Sequence, residues 1–310
     1  MSFDSDKMSQ ESLPNVFAGR MRRLLGDDYE AFERALEGAP TVSLRVNPRK
    51  AADGREMPMG NRVPWCETGR YLTERPAFTF DPLLHAGAYY VQEAASMFLE
   101  RAVGRYVTEP VVALDLCAAP GGKSLLFAGM EEVDEIISCD ISESKTELIE
   151  DNIRRIGTDK IRAMVNDASL YNPDFVDGFD LVICDLPCSG LGVMGRKRDI
   201  KYNVSIDKIK ELAKLQKKIL ENAVRYVKKD GRLIYSTCTM TKAENEENFT
   251  FISEFKGFSA VDFSDKIRGY VDRYKDGERL VNEAKKGFIR LIPGELGTDG
   301  FFVSEYMREE

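Results

Sequence analysis

Two cysteines stand where a thiol could act as a nucleophile. Cys238 follows an apolar run in LIYSTCTM (233–240), and Cys188 lies in CDLPCSG (184–190). Each falls just past the end of a strand-like segment, in a loop of small and polar residues where a thiolate could be reached by solvent and substrate. Of the other four cysteines, Cys139 and Cys184 lie inside apolar runs and Cys66 beside a tryptophan, positions that suit an inert small hydrophobe. The chain has one histidine, His85, far from both candidate thiols in sequence. A Cys–His dyad is therefore not expected, and the thiol must act on an electrophile activated by protonation, beside a cationic cofactor.

Three carboxylates share the same placement. Asp140 ends EIISCD, Asp167 ends IRAMVND and Asp185 ends FDLVICD, so three successive strands would each deliver an acid to one sheet edge. In open α/β sheets that edge is where ligands bind. The first strand, VVALDL, runs into DLCAAPGGKS (115–124), where Cys117, Ala118, Ala119, Pro120, Gly121, Gly122 and Lys123 form a loop that lets backbone approach a ligand. A phosphate-binding P-loop would need glycine at 117, and a dinucleotide fingerprint would need G-x-G; neither is present. Asp140 lies 18 residues after Gly122, near the spacing at which an acid accepts ribose hydroxyls. A tight turn for the loop and helix N-caps for the single acids are the alternative readings.

These residues require a scaffold, and the chain supplies one. Strand candidates at 111–116, 135–140, 161–167, 179–185 and 232–237 alternate with helical segments, and several are continuously apolar, as strands buried on both faces should be. The clearest helix is 206–229, with Ile206, Ile209, Leu212, Leu215, Ile219, Ala223 and Val227 on one stripe and Gly231 just past its end. The tail FIRLIPGELGTDGFFVSEY predicts two strands about a glycine-containing turn, an antiparallel hairpin added to the parallel sheet. Upstream, 12–37 has helical spacing broken by Gly26 and Asp27, and TVSLRVNP alternates like a strand. The expected organisation is an α/β protein with a small α+β domain over 1–85 and a doubly covered sheet over 86–310.

The composition, 43% apolar and 31% charged, is that of an ordinary soluble globular chain, and no apolar run reaches the roughly 18 residues of a membrane span. The opening MSFDSDKMSQESLPN has no basic stretch followed by an apolar one, so a cytoplasmic location is expected. Neither a metal site nor a disulfide framework is expected from six dispersed cysteines and one histidine. The net charge of −8 disfavours a general nucleic-acid coat. Over 196–229, however, twelve basic residues face four acids, and MGRKRDIKYN places Arg196, Lys197, Arg198 and Lys201 beside Tyr202. A local patch can bind what the whole chain repels.

Taken together, CAAPGGK, DLPCSG and YSTCT followed by ENEEN, with GAYYVQEAASM and GTDGFFV, resemble the ordered motifs of the Nop/Sun family of RNA cytosine carbon-5 methyltransferases over roughly 40–310. The resemblance implies a class I methyltransferase sheet and S-adenosylmethionine as cofactor. It also implies Cys238 as the nucleophile, Cys188 as the residue that assists product release, and Asp185 touching both cofactor and base. Asp140 would then hold the ribose, Asp167 the adenine, 117–123 the methionine side, and Lys145 a further cofactor contact. Ribosomal RNA is favoured over transfer RNA, and a monomer is expected. Two departures are Leu186, where the family usually has alanine, and the lack of the extra RNA-binding domain that many members carry. A DNA cytosine methyltransferase with Cys188 as nucleophile, or a noncatalytic RNA-binding factor, are the competing readings.

Overall fold

The computed structural model describes residues 15–50, 59–103 and 110–309. The opening segment and the first residues of the helical run at 12–37 lie outside them. The N-terminal part begins with α1 (Asn15–Leu25) and α2 (Tyr29–Glu37), separated at Gly26 as the sequence predicts. A small antiparallel sheet follows, ordered β2-β3-β1-β4, from β1 (Ser43–Val46), β2 (Met59–Arg62), β3 (Gly69–Leu72) and β4 (Tyr89–Val91). Its fourth strand lies beyond residue 85, so the small sheet extends past the expected boundary. Short helices α3 (Pro82–His85) and α4 (Leu99–Val103) flank β4.

The large sheet runs β10-β12-β9-β8-β5-β6-β7, with β11 paired to β12. The strands β5 (Val111–Asp115), β6 (Val133–Asp140), β7 (Ile161–Val165), β8 (Phe179–Asp185) and β9 (Val227–Thr237) are parallel. β12 (Phe301–Arg308) enters antiparallel against β9, carrying β10 (Phe258–Ala260) and β11 (Phe288–Leu291) on its outer side. The tail hairpin was legible in the sequence; β10 was not.

The apolar runs serve both faces of the sheet. Ala113, Leu181 and Ile183 face one core shared with α5 (Gly122–Ala128) and with Trp65 and Phe98 of the N-terminal part. Leu114, Val182 and Cys184 face the other, under α8 (Ile206–Tyr226) and α9 (Glu246–Ser253). Successive side chains of a strand point to opposite faces, so a strand covered on both sides must be apolar throughout. α6 (Glu143–Ile156) joins β6 to β7, while α10 (Ser264–Val271) and α11 (Gly277–Ala284) lie between β10 and β11. The one-turn helix α7 (Ile200–Asn203) precedes α8.

The long helix differs from expectation in two ways. It ends at Tyr226, and Gly231 lies inside β9 rather than capping the helix. A Cβ at Gly231 would stand 2.8 Å from the Lys228 carbonyl oxygen and 3.1 Å from that of Asp180, so close backbone approach explains this glycine. The buried stripe runs through Ile209, Gln216, Ile219 and Ala223, leaving Ile206 and Leu215 exposed.

Candidate active site

β5, β6, β8 and β9 end together at one edge of the sheet, and the loops that follow form the site. The 117–123 loop turns at Gly121, whose φ of +103° is a left-handed conformation that glycine adopts freely. Asp140 pins this loop from the next strand: its Oδ2 accepts from the Ala119 N–H at 3.0 Å, while Oδ1 pairs with Lys145 Nζ at 3.0 Å. Asp167 does not end β7, which stops at Val165; it lies two residues on and caps a turn by accepting from Ser169 N–H at 2.9 Å. Exposed Ile141 and Leu170 flank these two acids. Asp115, at the end of β5, has no exposed surface; its Oδ2 accepts from Ser124 Oγ at 2.7 Å, and its Oδ1 has no hydrogen-bond partner.

Asp185 is held from two sides. Lys123 Nζ lies 2.5 Å from its Oδ2, and Ser236 Oγ donates to its Oδ1 at 2.8 Å. Burial acts against the charge on Lys123, but Asp185 more than offsets it and raises the ammonium above its ordinary range. The two candidate thiols meet beside this pair, with Cys188 Sγ 3.4 Å from Cys238 Sγ. They are not equivalent. Cys238 is held below the ordinary thiol value, first by its hydrogen bond with Cys188 and further by Lys123 and Lys197, against burial and Asp185. Cys188 is pushed well above it by the same bond, by burial, and by the negative charges of Glu244 and Asp185. The opposite directions of the two shifts favour Cys238 as the sulfur that gives up its proton first, with Cys188 as the partner in the contact.

A polar core behind the thiols sets this distance. Gly192 N–H donates to the Cys238 carbonyl at 3.0 Å, and Gly300 N–H donates to the Gly192 carbonyl at 2.9 Å. A Cβ at Gly192 would lie 2.3 Å from the Gly300 oxygen and 2.8 Å from the Cys238 oxygen, so only glycine fits. Thr237, Thr239, Thr241, Glu244, Asn245 and Asn248 are all fully buried. Thr237 Oγ1 donates to Asn245 Oδ1, and Asn245 Nδ2 donates to the Thr239 carbonyl, bracing the loop that carries Cys238.

The basic residues separate into two groups. Arg196 turns inward, paired with Asp299 and lying 3.9 Å from Glu93, where it ties the 190s loop to the GTDG segment instead of facing solvent. Lys197 and Arg198 are exposed, and Lys201 lies over the Tyr202 ring at 4.9 Å. Helices α1 and α2 pack on this loop through Phe17, Met21, Leu25, Tyr29 and Phe32 against Leu191, Met194 and Met240. Leu186 is buried in the core beneath α8, 3% exposed, so its extra bulk relative to alanine packs inward. As the sequence suggests, Cys66, Cys139 and Cys184 are buried; burial raises Cys66 to about 11 and Cys139 to about 12.

The sequence reading missed the roles of Ser236, Gly192, Gly300, Asp115 and Gln216. For Ser236 the signal was an unusually polar stretch, STCTMTKAENEEN (236–248), directly after an apolar strand. Among the described residues no cluster of three metal-ligating side chains occurs, and no helix is long and apolar enough to cross a membrane.

A mostly parallel sheet with a glycine loop after the first strand and carboxylates near the following strand ends defines a class I methyltransferase fold, here with two cysteines side by side at the same edge. Residues 107–307 match the family described as 16S rRNA methyltransferase RsmB/F, and 13–94 match the N-terminal domain of 16S rRNA methyltransferase RsmF. The chain belongs to this RsmB/F family, within the wider group the motifs resemble. A probable ribosomal RNA small subunit methyltransferase B of Bacillus subtilis is 34% identical over 85% of the chain and 59% of its own length. A ribosomal RNA small subunit methyltransferase F of Aliivibrio fischeri is 31% identical over 78% of the chain and 51% of its own length. The chain thus spans between half and two thirds of the relatives it matches. Among solved structures, a methyltransferase homolog protein from Pyrococcus horikoshii superposes with a TM-score of 0.73 at 25% identity, covering 94% of each chain. NSun6 from the same organism, solved with SFG, superposes at 0.74 with 18% identity over 96% of this chain and 98% of its own, a likeness of fold.

Proposed function

We propose that this protein is an S-adenosylmethionine-dependent RNA cytosine carbon-5 methyltransferase with ribosomal RNA as its substrate. The observation that carries the reading is the unequal thiol pair, 3.4 Å apart, beside the Lys123–Asp185 pair at the sheet edge where ligands bind. The relatives' names point to small-subunit ribosomal RNA.

The site's chemistry suits the cofactor. The carboxylates at 140 and 185 lie at the sheet edge, and exposed Ile141 and Leu170 offer apolar flanks for a flat ring. Residues 117–123 would hold the methionine side, Asp140 with Lys145 the ribose, and Asp167 the adenine. When bound, S-adenosylmethionine supplies an electrophilic methyl group.

Carbon 5 of cytosine is a weak nucleophile until carbon 6 is attacked. The Cys238 thiolate forms the S–C6 bond while the Lys123–Asp185 pair supplies a proton to the ring nitrogen, so that the C5–C6 electron pair becomes an enamine nucleophilic at carbon 5. After carbon 5 gains its methyl group its proton passes to water at the site, the C–H electron pair re-forms the C5–C6 double bond, and the S–C6 pair leaves with the Cys238 sulfur. Cys188, which donates to Cys238 sulfur, stabilises the departing thiolate. A base must be unstacked to reach this pocket, which favours a loop or single strand, with Lys197, Arg198 and Lys201 on the RNA backbone.

The test pairs each cysteine variant with substrate. Cys238→Ala should abolish turnover and give no adduct, whereas Cys188→Ala should methylate once and remain attached to RNA through a denaturant-stable bond. Denaturing gels with mass mapping of the linked peptide distinguish them, and bisulfite mapping of ribosomal and transfer RNA from cells with and without the gene identifies the substrate. An adduct carried by Cys188 in Cys238→Ala would reverse the two roles.

A further inference from the structure

Glu244 is fully buried, and every contact recorded to its carboxylate comes from a donor. Oε1 accepts from Ser189 N–H at 2.8 Å and from Gln216 Nε2 at 3.2 Å; Oε2 accepts from Ser189 Oγ at 2.6 Å and from Thr241 Oγ1 at 2.7 Å. The two N–H groups on Oε1 can only donate and the two hydroxyls on Oε2 can donate, so all four contacts are compatible with the ionised carboxylate and satisfy it. The donors come from three segments: the loop holding Cys188, the long helix α8, and the loop after Cys238. With Ser189 Oγ donating to Glu244, Thr239 Oγ1 must be the donor in its 2.6 Å contact with Ser189 Oγ. Gln216 also donates to the Pro187 carbonyl at 2.9 Å, so the residues on both sides of Cys188 are fixed.

We propose that Glu244 is a positioning residue that assigns the roles of the two thiols: it clamps the Cys188 loop against the Cys238 loop and places negative charge behind Cys188, leaving Cys238 as the thiolate. This deepens the methyltransferase reading and rests on it for its consequence in catalysis. The charge arrangement supports it. Asp185 acts on both thiols, Glu244 on Cys188, with the buried Tyr235 hydroxyl nearby, and the cations Lys123 and Lys197 on Cys238. Without Glu244 the bias that keeps the proton on Cys188 would be smaller, with Lys123 and Lys197 still favouring the charged form of Cys238.

The experiment is iodoacetamide labelling of the free full-length chain between pH 6 and 10, with each cysteine quantified by mass spectrometry. In wild type, Cys238 should label first and Cys188 slowly. Glu244→Gln should speed Cys188 labelling about tenfold at pH 8, equivalent to one pKa unit, and narrow the difference between the two sites. Ser189→Ala removes one donor but keeps the charge and should preserve the wild-type order. A folded Glu244→Gln with Cys188 as slow as wild type would overturn the proposal. Should Glu244→Gln fail to fold, Cys238→Ser carries the test: Cys188 must still label more slowly than an ordinary exposed thiol, because Glu244 still faces it, and labelling at the free-thiol rate would overturn the proposal. No methyl transfer is read in this assay, so its failure leaves the methyltransferase reading standing, and failure of that reading leaves the labelling order to be judged alone.

Discussion

Replacing Asp115 with asparagine should stabilise the cofactor-free protein, by an amount that grows with pH. Asp115 sits at the end of β5 with no exposed surface, and Ser138 Oγ donates to Ser124 Oγ, which donates to its Oδ2. Burial raises it from an ordinary 3.8 to about 7; the Ser124 bond opposes the shift, the charge of Asp185 adds to it, and Lys123 opposes it. The folded state therefore holds this proton more tightly than the unfolded chain. Below pH 4 both states are protonated and the group is neutral in effect; between pH 4 and 7 the unfolded chain ionises first and stability falls; above 7 the loss is constant. Three units at ~1.4 kcal/mol each set a ceiling of about 4 kcal/mol. Asparagine keeps an oxygen for Ser124 and carries no charge, so it escapes this loss. The assay is thermal or urea unfolding of both proteins at pH 4, 6 and 8, where the gap should widen by several degrees in Tm. Glu93 also titrates near 7, but it is common to both proteins and drops out of the difference. A gap that stays constant from pH 4 to 8 would show that Asp115 does not carry the buried proton.

Three further outcomes follow from the same geometry. Lys123→Met leaves Asp185 without its cation; because both side chains are about a fifth exposed (22%), the cost should be about 1–3 kcal/mol, below that of a fully buried pair, and Cys238 alkylation should move to higher pH. Unfolding curves and the alkylation profile check it, and an unmoved profile would remove Lys123 from the thiolate's surroundings. Gly192→Ala forces a methyl against the Gly300 and Cys238 carbonyls, so adduct formation should be lost and stability should fall by about 1–3 kcal/mol; adduct formation at the wild-type level would show that the loop can yield. Neutralising Lys197 and Arg198 together should lower the salt slope of RNA binding by about 1.4, at roughly 0.7 per contact on a single strand, whereas Arg196→Gln should lower stability and leave the slope unchanged. A slope change with Arg196→Gln of similar size would return that residue to the RNA surface.

Local chemistry is what the sequence by itself determined. Strands buried on both faces must be apolar throughout, so β5, β6, β8 and most of β9 were legible, as were the glycine loop and the acids at 140 and 185. The cysteines after β8 and β9 could be picked out because a thiol among small polar residues past a strand end differs from one inside a strand. Only the tertiary structure decided what lies opposite each side chain. Arg196 reads as one of a basic run, yet its partner Asp299 is 103 residues away, and that distant carboxylate turns it from a surface cation into a half-buried tie. Asp167 reads as a strand end, but β7 stops two residues earlier because the chain turns there and the acid is used on its own turn. Gly192 and Gly300 read as ordinary loop glycines until two backbones are seen to pass within van der Waals distance. Glu244 lies in an acidic run that suggests a solvated helix start, while 55 residues upstream Ser189 supplies two of the donors that justify its burial. Period and turn propensity are properties of a few consecutive residues. The fate of a charge depends on which distant group folding brings to meet it.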